Sequence, residues 1–283
     1  SDESLLSSQS VMDTQVNTDG SATKEVFAMD TYMTLTAYGD KAEDAVDAAA
    51  DEIIRLDDLF STNIDTSDVA KVNAGSSKIV SDETAYLIDK SFQFYEETGG
   101  AYDITIYPLV KEWGFTTGEY HVPSEDTIAS LMELVGSDMM HLDANTNELT
   151  FDKDKMMIDL GTVAKGYTSQ RIMEIYKEMG LSSGLVSLGG NVQTLGSKED
   201  GSAWRVAIQN PAMDESGSED FLGVIEVTDK AVTTAGGYER YFEEDGVIYR
   251  HIFDPATGCP TTSSLKSVTV ITDEIGRASC RER

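Results

Sequence analysis

Several short segments of this chain hold residues that packing alone does not explain. Ile158-Asp-Leu-Gly-Thr-Val-Ala-Lys-Gly-Tyr167 carries an acid out of an apolar stretch, through a glycine turn and into a helical pattern. The first N–H groups of a helix point outward with partial positive charge, so such a turn suits an anion or a nucleotide. Lys165 adds a cation there. The same residues also make a plain strand-to-helix connection with Asp159 as its cap. Gly184-Leu-Val-Ser-Leu-Gly-Gly-Asn191 ends an apolar strand in paired glycines, which let a backbone approach a ligand and equally make an ordinary turn. In Ala231-Val-Thr-Thr-Ala-Gly-Gly-Tyr-Glu-Arg-Tyr241, small residues precede Arg240, a side chain able to clamp a phosphate or pair with a carboxylate. Tyr249-Arg-His-Ile-Phe-Asp-Pro-Ala-Thr-Gly258 sets His251 before an Asx-type turn at Asp254. His251 is one of only 3 histidines and the natural group to move a proton near neutral pH, although a lone strand histidine is more often structural.

The elements that must position these residues follow from apolar spacing. Period-two alternation of Phe27, Met29, Thr31, Met33, Leu35 and Ala37 predicts one strand over 26–38. Ala42, Ala45, Val46, Ala49, Ile53, Leu56 and Phe60 recur at helical spacing and predict a helix over 41–60. Ser81 caps a second helix over 82–97, stopped by Gly99-Gly100, and a shorter one runs from about Ser124 to Gly136. Strands are expected at 148–151 and 156–160, then a helix over 163–179 with Gly180 as its C-cap. Strands follow at 184–188, 192–195, 204–209, 222–227, 231–235, 247–253 and 267–272, with a polar loop over 212–220. Helices early and strands late argue for an α+β fold rather than a doubly wound sheet.

Composition bounds the function. With 51 acidic against 21 basic side chains, the net charge of −30 argues against nucleic acid, whose phosphates would be repelled. The chain is 40% hydrophobic, enough for a sizeable core, and no apolar run reaches the length of a membrane span. Its 2 cysteines are too few for a disulfide framework. Residues 1–24, rich in Ser, Asp and Thr, read as a disordered polar leader or tether ahead of a domain over 25–273. Arg277, Arg281 and Arg283 crowd the end, so 274–283 reads as a non-native tail, an ordinary basic tail being the alternative.

Taken together, the motifs resemble those of the ApbE family of FAD:protein FMN transferases, from Met29 to about Thr272. In order they are Met29-Asp-Thr; Phe60-Ser-Thr-Asn63 with Ser67 and Asn73 downstream; Thr98-Gly-Gly-Ala-Tyr-Asp-Ile-Thr-Ile-Tyr-Pro-Leu-Val-Lys-Glu-Trp-Gly-Phe115; Asp159-Leu-Gly-Thr-Val-Ala-Lys-Gly-Tyr167; Ser187-Leu-Gly-Gly-Asn191; Thr234-Ala-Gly-Gly-Tyr-Glu-Arg-Tyr241; and His251-Ile-Phe-Asp-Pro-Ala-Thr-Gly258. The resemblance implies an ApbE-like α+β fold, with mixed or antiparallel sheets flanked by helices, here truncated at its C-terminus.

It further implies Mg²⁺-dependent transfer of FMN from FAD to a threonine hydroxyl of a target flavoprotein, with release of AMP. Carried over by motif, Met29, Asn63, Ala101, Tyr102, Asp103, Asp159, Lys165, Arg240 and Ile252 are expected at the FAD. Thr162 is expected to give Mg²⁺ an oxygen, and His251 to act as the base for the acceptor hydroxyl or to position flavin or phosphate. Many members carry Tyr where this chain has Asn63. Losing that ring opens the diphosphate to water, so FAD diphosphatase activity is an alternative. Members also continue past 267–272 into a helix that completes the metal site, where this chain reads Gly276-Arg-Ala-Ser-Cys280; a non-catalytic FAD-binding protein is therefore a further alternative. A solute-binding protein is the alternative outside flavin chemistry. The family's habit implies an extracytoplasmic, lipid-anchored protein whose partners are flavin-bearing subunits of membrane redox complexes or secreted flavoproteins. The charge of −30 favours partners that present basic surface.

Overall fold

The structure is a computed structural model that describes residues 9–212, 220–238 and 240–273. It divides into two compact units: one holds the chain up to Asp57, Ala164–Gly236 and the segment from Ser267 onward; the other holds Asp58–Val163 and Gly237–Lys266.

The first unit is built on a sheet that contains β1 (Ser10–Val11), β2 (Gln15–Val16), β3 (Ser21–Ala28), β4 (Thr31–Tyr38), β7 (Gly184–Leu188), β8 (Asn191–Leu195), β11 (Ala231–Gly236) and β16 (Ser267–Thr272). The order is β1-β3-β4-β7-β8-β11-β16, with β2 also on β3, and every pairing is antiparallel. Strand alternation divides the side chains between two faces. Val186 and Leu188 go to one face with Met33, Leu35 and Ala37. There they pack under helix α1 (Ala42–Phe60), through Ala45, Ala49 and Ile53, and under Ile172, Met173 and Tyr176. Leu185, Val192 and Val232 go to the other face, against a ribbon of β9 (Trp204–Gln209) and β10 (Phe221–Val227) that contributes Trp204, Val206 and Val227.

The strand expected over 26–38 is a hairpin. β3 and β4 pair from Ser21↔Tyr38 to Ala28↔Thr31, and Met29 and Asp30 form the two-residue turn with φ of 50° and 57°. Positive φ at both central positions gives a turn whose twist matches the strands. Residues 10–24, read as leader, carry β1, β2 and the start of β3, so ordered pairing begins well before residue 25. Residues 1–8, most of the 212–220 loop and the 274–283 tail lie outside the described residues.

The second unit contains α2 (Asp68–Asn73), α3 (Asp82–Glu97), α4 (Tyr107–Glu112) and α5 (Glu125–Met132). With them come three antiparallel pairs: β5 (Met140–Asp143) with β6 (Glu148–Phe151), β12 (Tyr241–Glu244) with β13 (Val247–Arg250), and β14 (Phe253–Asp254) with β15 (Cys259–Pro260). Ser81 caps α3 by accepting from the Thr84 N–H, and Ser124 caps α5 in the same way from Thr127. The expected helix over 124–136 stops at Met132, and the expected strand over 247–253 is interrupted at His251 and Ile252. Leu109, Trp113 and Phe115 form the core of this unit, packed by Phe242, Tyr249 and Phe253. Helix α6 (Gly161–Glu178) begins in this unit, and the chain passes to the first unit between Val163 and Ala164. Among the described residues no helix is long and apolar enough to cross a membrane.

Candidate active site

The segment 156–160 was expected to be a strand, but it has no strand partner. A side chain takes that role. Asn73 Nδ2 donates to the Ile158 carbonyl at 2.8 Å, and Asn73 Oδ1 accepts from the Ile158 N–H at 2.8 Å. The Asp159 N–H then donates to the Ile104 carbonyl at 3.0 Å. One amide side chain thus satisfies a buried backbone residue as a neighbouring strand would. Asp159 leaves this clamp and turns its Oδ1 onto the Gly161 N–H at 2.8 Å, capping the start of α6. The Val163 N–H donates to the Leu160 carbonyl at 3.0 Å, and the positive end of the helix dipole at this first turn favours an anion.

Thr162, half-buried in that first turn, meets Tyr102 with 2.9 Å between Oγ1 and the phenolic oxygen. Tyr102 is itself buried. Its N–H donates to Thr98 Oγ1 at 3.0 Å, and its ring packs edge-on against Phe94. Asp103 is buried and bonded to donors of the chain itself. Its Oδ1 accepts from the Thr105 N–H, Thr105 Oγ1 and Ser137 Oγ, and its Oδ2 accepts from the Ser137 N–H. It is a buried carboxylate satisfied by local donors, and it ties the backbone at Thr105 to that at Ser137. Asn63 is exposed on the loop before α2. That loop is pinned where Ser67 Oγ donates to the Ser61 carbonyl at 2.5 Å.

His251 lies between β13 and β14, and both its backbone N–H (3.1 Å) and its ring Nδ1 (3.2 Å) reach the Arg240 carbonyl. A carbonyl only accepts, so Nδ1 carries a proton in this contact. The loop after it is held by Asp254, whose carbonyl accepts from Thr257 and Gly258 and whose Oδ1 accepts from the Ala256 N–H. Gly258 has φ 68°, and a Cβ there would sit 2.6 Å from Met132 Sδ and 2.9 Å from Leu109 Cδ1. Its carbonyl accepts from Trp113 Nε1 at 3.2 Å. Trp113 in turn lies 5.3 Å from Tyr249, which stacks on Phe242 at 5.1 Å. The hairpin that carries His251 is therefore seated on an aromatic platform.

In the first unit, Met29 sits in the β3–β4 turn with its sulfur 3.8 Å from Thr168 Oγ1, which donates to the Ala164 carbonyl at 2.8 Å. Gly189, with φ 55°, lies so close to Thr31 that a Cβ would be 2.3 Å from its Oγ1, and the Thr234 N–H donates to the Gly190 carbonyl. Three separated motifs thus meet at one end of this sheet. Lys165 follows Thr162 on α6, with its carbonyl accepting from Ser169.

Comparison with known proteins decides the family. The sequence pattern described as the ApbE family matches residues 29–279. The chain belongs to the ApbE family. It is 32% identical over 221 residues to the FAD:protein FMN transferase of Vibrio cholerae, covering 76% of this chain and 65% of the relative. It is 33% identical over 253 residues to that of Treponema pallidum, covering 82% and 69%. Against the Escherichia coli K12 protein it is 32% identical, and it spans 62% of that relative's length. The ApbE protein of Thermotoga maritima superposes with a TM-score of 0.85 at 31% identity, covering 92% of this chain and 84% of that one. The flavin transferase ApbE of Vibrio cholerae gives 0.81 at 26% identity, with the same coverage. The α+β reading of an ApbE-like fold stands.

Of the ApbE-family residues expected at the site, Tyr102, Asp159 and Thr162 come together around the start of α6, with Asp103 behind them. Arg240, His251 and Ile252 gather at the β12–β13 hairpin. Arg240 contributes its carbonyl to this geometry. Motif reading passed over two groups. Asn73 was noted without a role, and Ser91, which meets the Tyr102 phenol at 3.3 Å, lies on a helix face that reads as core. Among the described residues no three His, Cys, Asp or Glu side chains group as a metal site. The donors present are hydroxyl and carboxylate oxygens beside a helix N-terminus. Oxygen donors are the type that magnesium takes, and the Thr162 hydroxyl and the Asp159 carboxylate are the ones at this turn.

Proposed function

We propose that this chain carries out Mg²⁺-dependent transfer of FMN from FAD to a threonine hydroxyl of an acceptor flavoprotein. The observation that carries the reading is the contact of His251 Nδ1 with the Arg240 carbonyl, which orients the ring on its hairpin within a family of flavin transferases. In the proposed reaction the acceptor hydroxyl oxygen forms a bond to the flavin-side phosphorus, and the bond from that phosphorus to the bridging oxygen breaks. AMP leaves with the bridging oxygen, and the hydroxyl proton passes to His251 Nε2. Thr162 Oγ1 would hold the magnesium ion, which when bound offsets charge on the phosphate oxygens. The start of α6 orients the diphosphate, and the residues carried over for FAD, Met29 and Lys165 among them, remain part of the proposal.

Incubation with FAD, Mg²⁺ and an acceptor flavoprotein tests it. A covalent, fluorescent acceptor band with stoichiometric AMP is expected; intact FAD and an unlabelled acceptor would reject it. Hydrolysis of FAD to FMN and AMP is the second reading, favoured by the exposed Asn63 where many members place a ring. Free FMN appearing without acceptor would establish it. An extracytoplasmic, lipid-anchored location goes with the proposal, supported by the family resemblance, and fractionation of the source cells checks it.

A further inference from the structure

The hairpin that leads into His251 has an open edge, and its hydrogen-bond phase shows which groups face outward. β12 and β13 pair as Tyr241↔Arg250, Phe242↔Tyr249, Glu243↔Ile248 and Glu244↔Val247 around the Asp245-Gly246 turn. The His251 N–H donates to the Arg240 carbonyl at 3.1 Å, so bonded pairs fall at 240/251 and, by alternation, at 242/249 and 244/247. The backbone N–H and C=O groups of Ile248 and Arg250 therefore point away from β12. Ile252 is next in that series, and its carbonyl accepts from the Thr261 N–H at 2.8 Å, so the chain itself covers this edge at that point. Continued along β13, the same segment would set Ser263 against Arg250 and Leu265 against Ile248. It turns off instead: the Ser263 N–H donates to Thr261 Oγ1 and the Leu265 N–H to Ser263 Oγ, each at 3.2 Å. Two successive hydroxyl turns thus lead it away from the edge. Among the described residues, the outward backbone groups of Ile248 and Arg250 have no hydrogen-bond partner, and Ile248 is 47% exposed.

We propose that this edge of β13 takes up, as an added strand, the extended segment of the acceptor flavoprotein that bears the target threonine. The proposal rests on the transferase reading above, in which that threonine has to reach His251. A strand bonded to Ile248 and Arg250 ends one residue from His251, about 3.3 Å along the chain. Thr261 occupies the edge beyond, so the acceptor segment has to leave it at the level of the histidine. Main-chain hydrogen bonds give such docking its affinity and fix its register. Glu244 and Asp245, at the hairpin tip, favour basic residues at the end of the segment away from His251, in keeping with the chain's charge of −30.

The test is amide hydrogen exchange of the 283-residue chain, with and without the apoprotein of a flavoprotein that carries FMN on threonine. Slower exchange at Ile248 and Arg250 with this probe is expected, and unchanged exchange at Tyr241 and Glu243 on the opposite edge. Equal slowing on both edges rejects the proposal. So does slow exchange already present without the probe, whether residues 261–265 or a second copy of the chain causes it. Transfer kinetics with FAD and Mg²⁺ give a second reading. Ile248→Pro removes an outward N–H and leaves the hairpin's own ladder intact. It should raise the KM for the probe about three- to tenfold, the equivalent of one hydrogen bond, while FAD affinity holds. Ile248→Ala keeps the N–H and should lie closer to wild type; an equal rise in both variants rejects strand addition. Exchange in the wild type decides the matter even where Ile248→Pro lowers the melting temperature. A labelled probe with unchanged exchange at Ile248 and Arg250 rejects the edge and leaves the transferase reading standing. A probe that the wild type leaves unlabelled rejects the transferase reading, and this proposal with it.

Discussion

Replacing Asn73 tests how the site is held more directly than replacing any residue that faces the ligand. Its amide supplies one donor and one acceptor to Ile158, both at 2.8 Å, and Ile158 is fully buried. Asn73→Ala leaves a backbone N–H and a carbonyl without partners, at roughly 1–3 kcal/mol each. The expected loss is about 2–5 kcal/mol, or roughly 5 to 15 °C in melting temperature for a protein of this size. Trp113, in the same unit, offers a fluorescence signal for urea unfolding. Asn73→Asp sharpens the test, because a carboxylate accepts from the Ile158 N–H but sets its second oxygen against the Ile158 carbonyl. Protonated, it donates there as the amide does. Folding therefore raises the pKa of the introduced acid, and the stability it contributes is present at low pH and lost as pH rises through that raised value. Relative to Asn73→Ala, Asn73→Asp should gain about 1–2 kcal/mol as pH falls into the carboxylate range. An Asn73→Ala protein within about 0.5 kcal/mol of wild type, or two variants that keep a constant gap across pH, would refute the clamp.

Other consequences are checked more simply. His251→Ala should lower transfer by about a hundredfold or more while FAD affinity, read by titration, changes by less than about threefold. Gly258→Ala combines a positive φ with a Cβ driven into Met132 and Leu109, so it should cost about 2–4 kcal/mol in urea unfolding. Glu52 is held below the usual glutamate range, chiefly by hydrogen bonds from Arg55 and against the effect of burial, with help from Arg171. A lowered folded pKa gives stability that is present above the unfolded value and lost as pH falls through the folded one. Glu52→Gln should therefore cost about 1 kcal/mol near neutrality, and the gap to wild type should close as the medium is acidified.

Where local pattern and tertiary partner agreed, the sequence was sufficient. The Ser81-capped helix runs over 82–97 as its spacing requires, and 148–151, 184–188, 204–209 and 267–272 are strands with the expected bounds. The hairpin at 29–30 escaped because alternation was counted through it. Val26 and Ala28 are buried in one strand, whereas Met33, Leu35 and Ala37 are buried in the next, and this change of parity marks a two-residue turn. β12 was legible in retrospect. Tyr-Phe-Glu-Glu-Asp-Gly ends in the Asp-Gly pair that favours a tight hairpin, and Asp245 and Gly246 both have positive φ. The clamp on 156–160 could not be read, because its partner is one side chain 85 residues away and has no period.

The net charge of −30 raises a sharper question, which is how such a chain presents a diphosphate with anything but repulsion. The geometry answers it locally. Asp103 spends its carboxylate on the N–H and hydroxyl groups of Thr105 and Ser137, and Asp159 places an oxygen on the Gly161 N–H, so the acids nearest the start of α6 are tied to donors of the chain itself. The helix start adds the positive end of its dipole and the Thr162 oxygen. Ser137→Ala removes one of the donors to Asp103 without touching the ligand-facing groups. It should weaken FAD binding measurably more at low salt than at high salt, since the charge it unmasks acts over a Debye length. Equal weakening at both ionic strengths would mean that Asp103 acts through backbone shape alone.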